Sequence, residues 1–168
     1  LHSPNPRDLR RLGVAYVPQG NRVFPDLTVR ENLDMGGIAL TNRARLSGRI
    51  ERVLDLFPIL KPRLHQRAGT LSGGEKQILA LASVLVLSPR LLLLDEPSLG
   101  LSPPLVTDAL TLIQRISQES RVAVLIVEQK IREVLKISSR VYVLRNGEIT
   151  FSGPAPSLED EAKLREVF

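Results

Sequence analysis

The chain has 168 residues, of which 43% are hydrophobic, so it can bury one real core and disorder is excluded as its main state. It contains no cysteine, which excludes a disulfide framework and thiolate metal sites. The net charge of +5 permits an acidic partner, but solvated arginines spread over helices are the favoured explanation, and 4% aromatic residues offer little to stack on bases. We expect no nucleic-acid partner.

The longest apolar run, residues 78–87, ends at Ser88, Pro89 and Arg90. It falls short of the roughly 18 to 20 residues that a membrane span needs. No basic and then apolar leader begins the sequence. The sequence therefore predicts a soluble, cytosolic chain, and its start at Leu1 without methionine suggests a fragment or a processed product.

The first half of the chain predicts one strand followed by a helical insert. Val14–Val17 is β-prone and runs into a Pro-Gln-Gly loop, which indicates the end of a strand. Thr28 and Glu31 form a capping box, which begins a helix. The pattern remains helical and charged to about residue 64, with interruptions at Pro58 and Pro62.

The second half alternates helices with strands. A second capping box, Ser72 with Glu75, begins a helix that stops before Pro89. The elements predicted after it are strands at 91–94 and 122–127, helices from Ser102 to about Glu119 and at 131–137, and a hairpin about Asn146-Gly147. The two aliphatic runs are typical of strands buried on both faces. The alternation predicts an α/β fold with a doubly wound parallel sheet.

Polar side chains follow three of the predicted strands: Gln19, the pair Asp95 and Glu96, and Gln129. In open α/β sheets, ligands bind beyond the carboxyl ends of the strands. A polar turn explains each cluster alone, but three together predict a site. Adjacent acids suit a nucleotide hydrolase, in which the first holds Mg²⁺ and the second activates water, with a simple turn or cap as the alternative.

The stretch Ser72, Gly73, Gly74, Glu75 places two glycines in the first turn of a helix. A helix N-terminus carries partial positive charge, and glycines allow a phosphate to approach its backbone N–H groups. An ordinary capping box explains the serine and the glutamate, but it does not explain the repeated glycine. The turn is therefore a candidate phosphate contact.

Three motifs together resemble those of the ABC transporter ATPases: LSGGE, the segment LLLLDEPSLGLSP about 20 residues later, and VPQG about 50 residues earlier. In that family they are the signature motif, the Walker B strand with its D-loop, and the Q-loop. NRVFPDLTVRENL, QRAGTLSGGE and VLIVEQ resemble in particular the ATPase subunits of branched-chain amino acid importers.

The resemblance implies ATP and Mg²⁺ as cofactors and assigns roles to the residues that match the motifs. Asp95 and Gln19 would bind Mg²⁺, Glu96 would be the general base, and Gln129 would be a phosphate sensor at a position where the family usually has histidine. The signature residues Ser72, Gly73, Gly74 and Glu75 would contact ATP held by a second ATPase subunit, arranged head to tail. The D-loop would comprise Ser98, Leu99, Gly100 and Leu101.

The resemblance also implies an architecture and a location. The fold would be an incomplete doubly wound parallel sheet of the P-loop NTPase, ABC type, with a small α-helical insert. Residues 1–27 and 89–168 would form the catalytic α/β lobe, and residues 28–88 a helical subdomain that ends in the signature helix. That insert would dock on transmembrane permease subunits, which would place the chain on the inner face of the cell membrane.

The family's P-loop, GxxxxGK[ST], does not occur in the 168 residues. Because the P-loop cradles the β- and γ-phosphates, we expect the isolated chain to bind ATP weakly and not to turn it over. In the family the P-loop strand lies between strands that correspond to residues 122–127 and 141–144. We therefore expect either an interrupted sheet there or exposed ladder groups that flank the gap, with lower stability than the complete subunit. His2 and His65 are expected to face solvent.

Two other function classes compete with an import motor. One is a non-catalytic module that supplies its signature helix to a partner with a complete P-loop. The other is a nucleic-acid maintenance ATPase, but those proteins place a very long coiled coil between the Q-loop and the signature motif. The short insert of this chain speaks against the second class.

Overall fold

The computed structural model describes residues 5–20, 22–40, 42–158 and 164. The chain divides into two compact units, Leu1–Val127 and Glu128–Phe168, and each unit has a sheet of its own. His65 is exposed as predicted, whereas His2 lies outside the described residues.

Three parallel strands form the sheet of the first unit. They are β1 (Val14–Val17), β2 (Leu91–Asp95) and β3 (Ala123–Val127), in the order β1-β2-β3. Val17 lies opposite Leu94 across the first pair, and Asp95 lies opposite Val127 across the second. The predicted parallel α/β sheet is confirmed, and the carboxyl ends of its three strands lie along one edge.

One helix precedes β1, and further helices connect the strands of this sheet. In chain order they are α1 (Pro6–Arg11), α2 (Val29–Gly36), α3 (Arg43–Leu56), 3-10 helices at Pro58–Arg63 and Ala68–Thr70, α4 (Gly73–Leu85) and α5 (Pro103–Ser120). The helical insert is confirmed, and both predicted capping boxes begin their helices, α2 at Thr28 and α4 at Ser72. Ser102 occupies the N-cap of α5, but its hydroxyl makes no capping hydrogen bond. The sequence did not predict α1.

The core of the first unit lies between one face of the sheet and the helices. Side chains alternate across a strand, and Ala15, Val17, Leu92 and Leu94 project into the core from β1 and β2. Helix α4 packs against both β1 and α5. Among the described helices, none is long and apolar enough to cross a bilayer.

The opposite face of the same sheet is only partly covered, which corrects the prediction that both aliphatic strands are buried on both faces. Leu93 in β2 is half-buried, and Leu125 and Val127 in β3 are 55% and 57% exposed. The register pairs Leu93 with Leu125, so these side chains share a face. The buried residues of β1 and β2 lie on the other face, and an aliphatic composition alone does not reveal this asymmetry.

The second unit contains α6 (Ile131–Leu135), β4 (Arg140–Arg145), β5 (Glu148–Pro154) and a 3-10 helix at Ala155–Leu158. Asn146 and Gly147 have φ of 51° and 84°, as a two-residue type I′ turn requires, so the predicted hairpin is confirmed. Within the described residues β4 pairs with β5 and not with β3, so the two strands that the sequence puts on either side of the P-loop strand are not hydrogen-bonded to each other.

The difference between the two faces of the sheet gives a matched test. Leu92→Ala removes a side chain that is 0% exposed, and we expect it to lower the free energy of unfolding by about 2–5 kcal/mol. Leu125→Ala, on the outer face, should cost less than about 1 kcal/mol. Urea denaturation measures both. Equal losses would contradict a sheet that is packed on one face.

Candidate functional site

Three predicted site residues meet at the carboxyl ends of β1 and β2. Asp95 ends β2, Glu96 follows it, and Gln19 lies two residues beyond β1. The Gln19 side chain donates a hydrogen bond from Nε2 to Glu96 Oε2 at 3.0 Å. The parallel pairing of β1 with β2 therefore brings the Q-loop glutamine onto the second of the two acids.

Glu96 sits in a constrained turn. Its φ of 45° lies in the left-handed region, which a residue with a side chain adopts at a cost of order 1–3 kcal/mol. The conformation is held from both sides, since the Glu96 N–H donates to the Val127 carbonyl at 2.9 Å and the Glu96 carbonyl accepts from the Leu99 N–H at 3.0 Å. The turn fixes the direction in which the Glu96 side chain leaves the sheet.

Asp95 has a partner that the sequence reasoning missed. The hydroxyl of Tyr16, in β1, donates a hydrogen bond to Asp95 Oδ2 at 3.1 Å. Partial desolvation, together with this bond and the negative charge of Asp95, raises the pKa of Tyr16 above its ordinary value of 10.0, so the hydroxyl stays protonated at neutral pH. The alternation of side chains along β1 puts Tyr16 on one face of the sheet, and this can be read from the sequence. Its contact with Asp95 depends in addition on the register of β1 with β2, which the sequence does not reveal.

These side chains offer hard oxygen donors, which suit Mg²⁺. Mg²⁺ is commonly held by one or two carboxylates together with substrate phosphates and water, rather than by a cage of protein ligands. The carboxylates of Asp95 and Glu96 and the amide oxygen of Gln19 fit that pattern. Among the described residues, no group of three or more His, Cys, Asp or Glu could form a cage.

A buried asparagine fixes the segment that follows the Q-loop. Asn32, in α2, is 2% exposed, and its Oδ1 accepts from the Phe24 N–H at 2.8 Å. Its Nδ2 donates to the carbonyls of Phe24 and Thr28 at 3.0 and 2.9 Å. Sequence reasoning did not single out Asn32, although a polar residue on the inner side of an amphipathic helix is a signal of this kind.

The signature residues form the N-terminal turn of α4. Ser72 is the N-cap, its Oγ accepts from the Glu75 N–H at 3.3 Å, and Glu75 Oε2 accepts from the Ser72 N–H at 2.9 Å. A Cβ on Gly73 would meet no atom within 4 Å, and one on Gly74 would touch Leu105 at an ordinary 3.4 Å. Packing around a Cβ does not require either glycine, and Gly73 lies on the surface.

Glu75 also joins the turn to the helical insert. Its Oε1 lies 2.9 Å from Arg63 Nε, at the end of the 3-10 helix Pro58–Arg63. The hydrogen bond from the Ser72 backbone, with smaller help from Arg63, lowers the pKa of Glu75 below its ordinary value of 4.5. The carboxylate is therefore ionised at neutral pH and holds two segments together.

The D-loop and the signature turn border the same cavity. A cavity of about 480 Å³ lies between α4 and α5, and its lining includes Ser72 and Gly74 from the signature turn and Leu101 from the D-loop. Ser98 is 1% exposed, Leu99 is 48% exposed, and Gly100 has a φ of 76°. The D-loop is thus anchored at its first residue and exposed at its middle.

Gln129 lies in the second unit, two residues beyond β3. Its side chain is exposed, and its carbonyl accepts a hydrogen bond from the Ile131 N–H at 3.0 Å, ahead of α6. The role of Gln129 as a phosphate sensor stays a prediction.

The fold matches that of known ATP-binding cassettes. The structure of cbiO1 from Clostridium perfringens, described as part of the ABC transporter complex cbiONQ, has a TM-score of 0.85 at 24% identity, over 97% of this chain and 66% of that one. The ADP conformation of MJ1267, an ATP-binding cassette of an ABC transporter, gives 0.84 at 22% identity, over 98% and 71%. At these identities the likeness shows the fold alone, an α/β fold with a parallel sheet.

Sequence comparison then gives the family. The ABC transporter family model matches residues 2–99. BraG of Pseudomonas aeruginosa, a high-affinity branched-chain amino acid transport ATP-binding protein, is 44% identical over 95% of this chain and 68% of its own length. LivF of Archaeoglobus fulgidus, a probable branched-chain amino acid transport ATP-binding protein, is 37% identical over 96% and 68%. The chain belongs to the ABC transporter family, among its ATP-binding subunits, and spans about two thirds of the length of these two relatives.

The ionised Glu75 makes stability depend on pH. Because its pKa is lower in the folded chain, its contribution is complete above the ordinary value of 4.5 and is lost as the pH falls through the lower folded value. We expect Glu75→Gln to be less stable than the unaltered chain at pH 7, and the gap to narrow as the pH falls below 4.5. Urea denaturation across this range measures the gap. The exposed Glu148→Gln is the control, and a gap for Glu75→Gln that stayed constant with pH would contradict the assignment.

Proposed function

We propose that the chain provides the ATP-binding and ATP-hydrolysing part of an ABC importer for branched-chain or related amino acids. The family supports the ATP-dependent role. The amino-acid class is supported by the names of two relatives, both of which are ATP-binding proteins of branched-chain amino acid transport.

The observation that carries this proposal is the convergence of Gln19, Asp95 and Glu96 at the edge of the sheet. The hydrogen bond of 3.0 Å between Gln19 and Glu96 joins the loop after one strand to the acid after the next. Ligands of open α/β sheets bind at this edge. A pair of adjacent acids with an amide beside them can hold Mg²⁺ and position water at the same time.

The roles divide among the three residues and Gln129. Asp95 and Gln19 hold Mg²⁺, which, when bound, neutralises charge on the phosphates of ATP. Glu96 accepts the proton of the attacking water, and the Gln19 amide orients the Glu96 carboxylate. Gln129 hydrogen-bonds the terminal phosphate as a sensor, because an amide cannot carry the proton that a histidine would.

The signature turn serves the other half of the site. Ser72, Gly73, Gly74 and Glu75 form a helix N-terminus that suits a phosphate group, and the space beside Gly73, where a Cβ would meet no atom within 4 Å, supports close approach of a ligand. We assign this contact to the terminal phosphate of ATP bound by a second ATPase subunit, arranged head to tail. The D-loop borders the same cavity and links the two sites.

The remaining partners are transmembrane permease subunits. The helical insert within residues 28–88 docks on them, which places the chain on the cytoplasmic face of the cell membrane. Its position between the Q-loop and the signature helix supports this role, since both ends of the insert then lead to residues of the proposed site.

Complementation with a P-loop tests the proposal. The 168 residues contain no GxxxxGK[ST], so the chain alone should bind ATP weakly and show no turnover. Added to a polypeptide that carries the P-loop strand and helix of a branched-chain relative, the chain should support Mg²⁺-dependent hydrolysis. Glu96→Gln should lower kcat by about 10²–10⁴-fold, as expected for loss of a general base, while the exposed Glu148→Gln leaves kcat unchanged.

Robust hydrolysis by the chain alone would contradict the expectation that turnover needs a P-loop. The outcome that would contradict the proposal itself is turnover that appears only with a complete ABC ATPase subunit, is lost on Ser72→Arg and is indifferent to Glu96→Gln. That pattern belongs to a non-catalytic module that lends its signature turn to a partner.

A further inference from the structure

We propose that Tyr16 is a positioning residue for Asp95, whose carboxylate its hydroxyl orients for binding Mg²⁺. The inference rests on the proposed role of Asp95 as a magnesium ligand, and it adds a residue that belongs to none of the motifs on which that role depends.

The backbone of β1 fixes where the Tyr16 side chain points. Its neighbours Ala15 and Val17 are 6% and 3% exposed and hold the strand in the core, so Tyr16 faces the other side of the sheet. In the parallel register Tyr16 lies opposite Leu93, two residues before Asp95 and therefore on the same face. The hydroxyl reaches Asp95 Oδ2 at 3.1 Å.

This contact gives the two carboxylate oxygens of Asp95 different roles. With Oδ2 accepting from Tyr16, Oδ1 is the oxygen left to face a metal ion, and rotation of the carboxylate is restricted. Partners of this kind typically account for 10–100-fold in metal affinity. Gln19 does the same for Glu96 across 3.0 Å, so the β1 side supplies one donor to each acid.

The composition of the chain provides a direct probe of the contact. It has two tyrosines, Tyr16 and Tyr142, and no tryptophan. Tyr142→Phe therefore leaves Tyr16 as the one tyrosine whose emission is observed. Both tyrosines are 54% exposed and Tyr142 lies in the β4-β5 hairpin, which makes Tyr142→Phe and Tyr16→Phe a matched pair.

The first measurement needs no metal. A carboxylate that accepts a hydrogen bond from the phenol quenches tyrosine emission, and an amide quenches it less. On the Tyr142→Phe background, Asp95→Asn should therefore raise the emission. On the Tyr16→Phe background, in which Tyr142 emits, Asp95→Asn should leave it unchanged. Unchanged emission on the first background would overturn the proposal.

The second measurement is the affinity of the chain for Mn²⁺, used alone as a paramagnetic substitute for Mg²⁺ and followed by the loss of its free-ion signal in electron paramagnetic resonance. Tyr16→Phe should weaken binding by about 10–100-fold, and Tyr142→Phe should leave it unchanged. Asp95→Asn should remove it.

The outcomes distinguish the positioning role of Tyr16 from the metal-binding role of Asp95. If Asp95→Asn weakens Mn²⁺ binding and Tyr16→Phe does not, Tyr16 has no positioning role and the metal site stands. If Asp95→Asn binds Mn²⁺ as tightly as the unaltered chain, or the unaltered chain shows no saturable binding, the proposed role of Asp95 fails and the role of Tyr16 fails with it.

Discussion

The parallel pairing of β1 with β2 is the constraint on which the candidate site depends. It places Val17 beside Leu94, so that the residues following each strand emerge together. Two donors from the β1 side then meet two acids from the β2 side: Tyr16 reaches Asp95, and Gln19 reaches Glu96. A register slip by one residue would turn Tyr16 toward the core and separate both pairs at once. The buried alternation of the two strands therefore protects the geometry of the site as well as the fold.

Features that depend on local chemistry could be predicted from the sequence. Both capping boxes and the Asn146-Gly147 turn need only a few consecutive residues, and the structure has them where the sequence places them. Tyr16 and Asn32 could not be found in this way, because each acquires its role from a segment that folding brings against it. The burial of β3 was predicted wrongly for the same reason, because the sequence of a strand does not reveal whether another element packs on its aliphatic face.

Glu75 has two opposing electrostatic effects at the signature turn, and Arg63 reduces the unfavourable one. Glu75 at the third position of α4 satisfies the Ser72 N–H and interacts well with the helix dipole, but its negative charge opposes an approaching phosphate. The Arg63 guanidinium, 2.9 Å away, offsets that charge. The turn thus keeps its cap, and the negative charge beside Gly73 is reduced. The same ion pair fixes the 3-10 helix Pro58–Arg63 against α4, so the electrostatic balance depends on the packing of the insert.

Helix α2 connects the Q-loop side of the site with the signature helix. Its first turn is tied to the chain after Gln19 through Asn32, which bonds both backbone groups of Phe24. Its last turn packs against α4 so closely that a Cβ on Gly36 would overlap the carbonyl oxygen of Ser83. Helix α2 is therefore packed between the segment that follows Gln19 and the last turns of α4, whose first turn carries the signature residues.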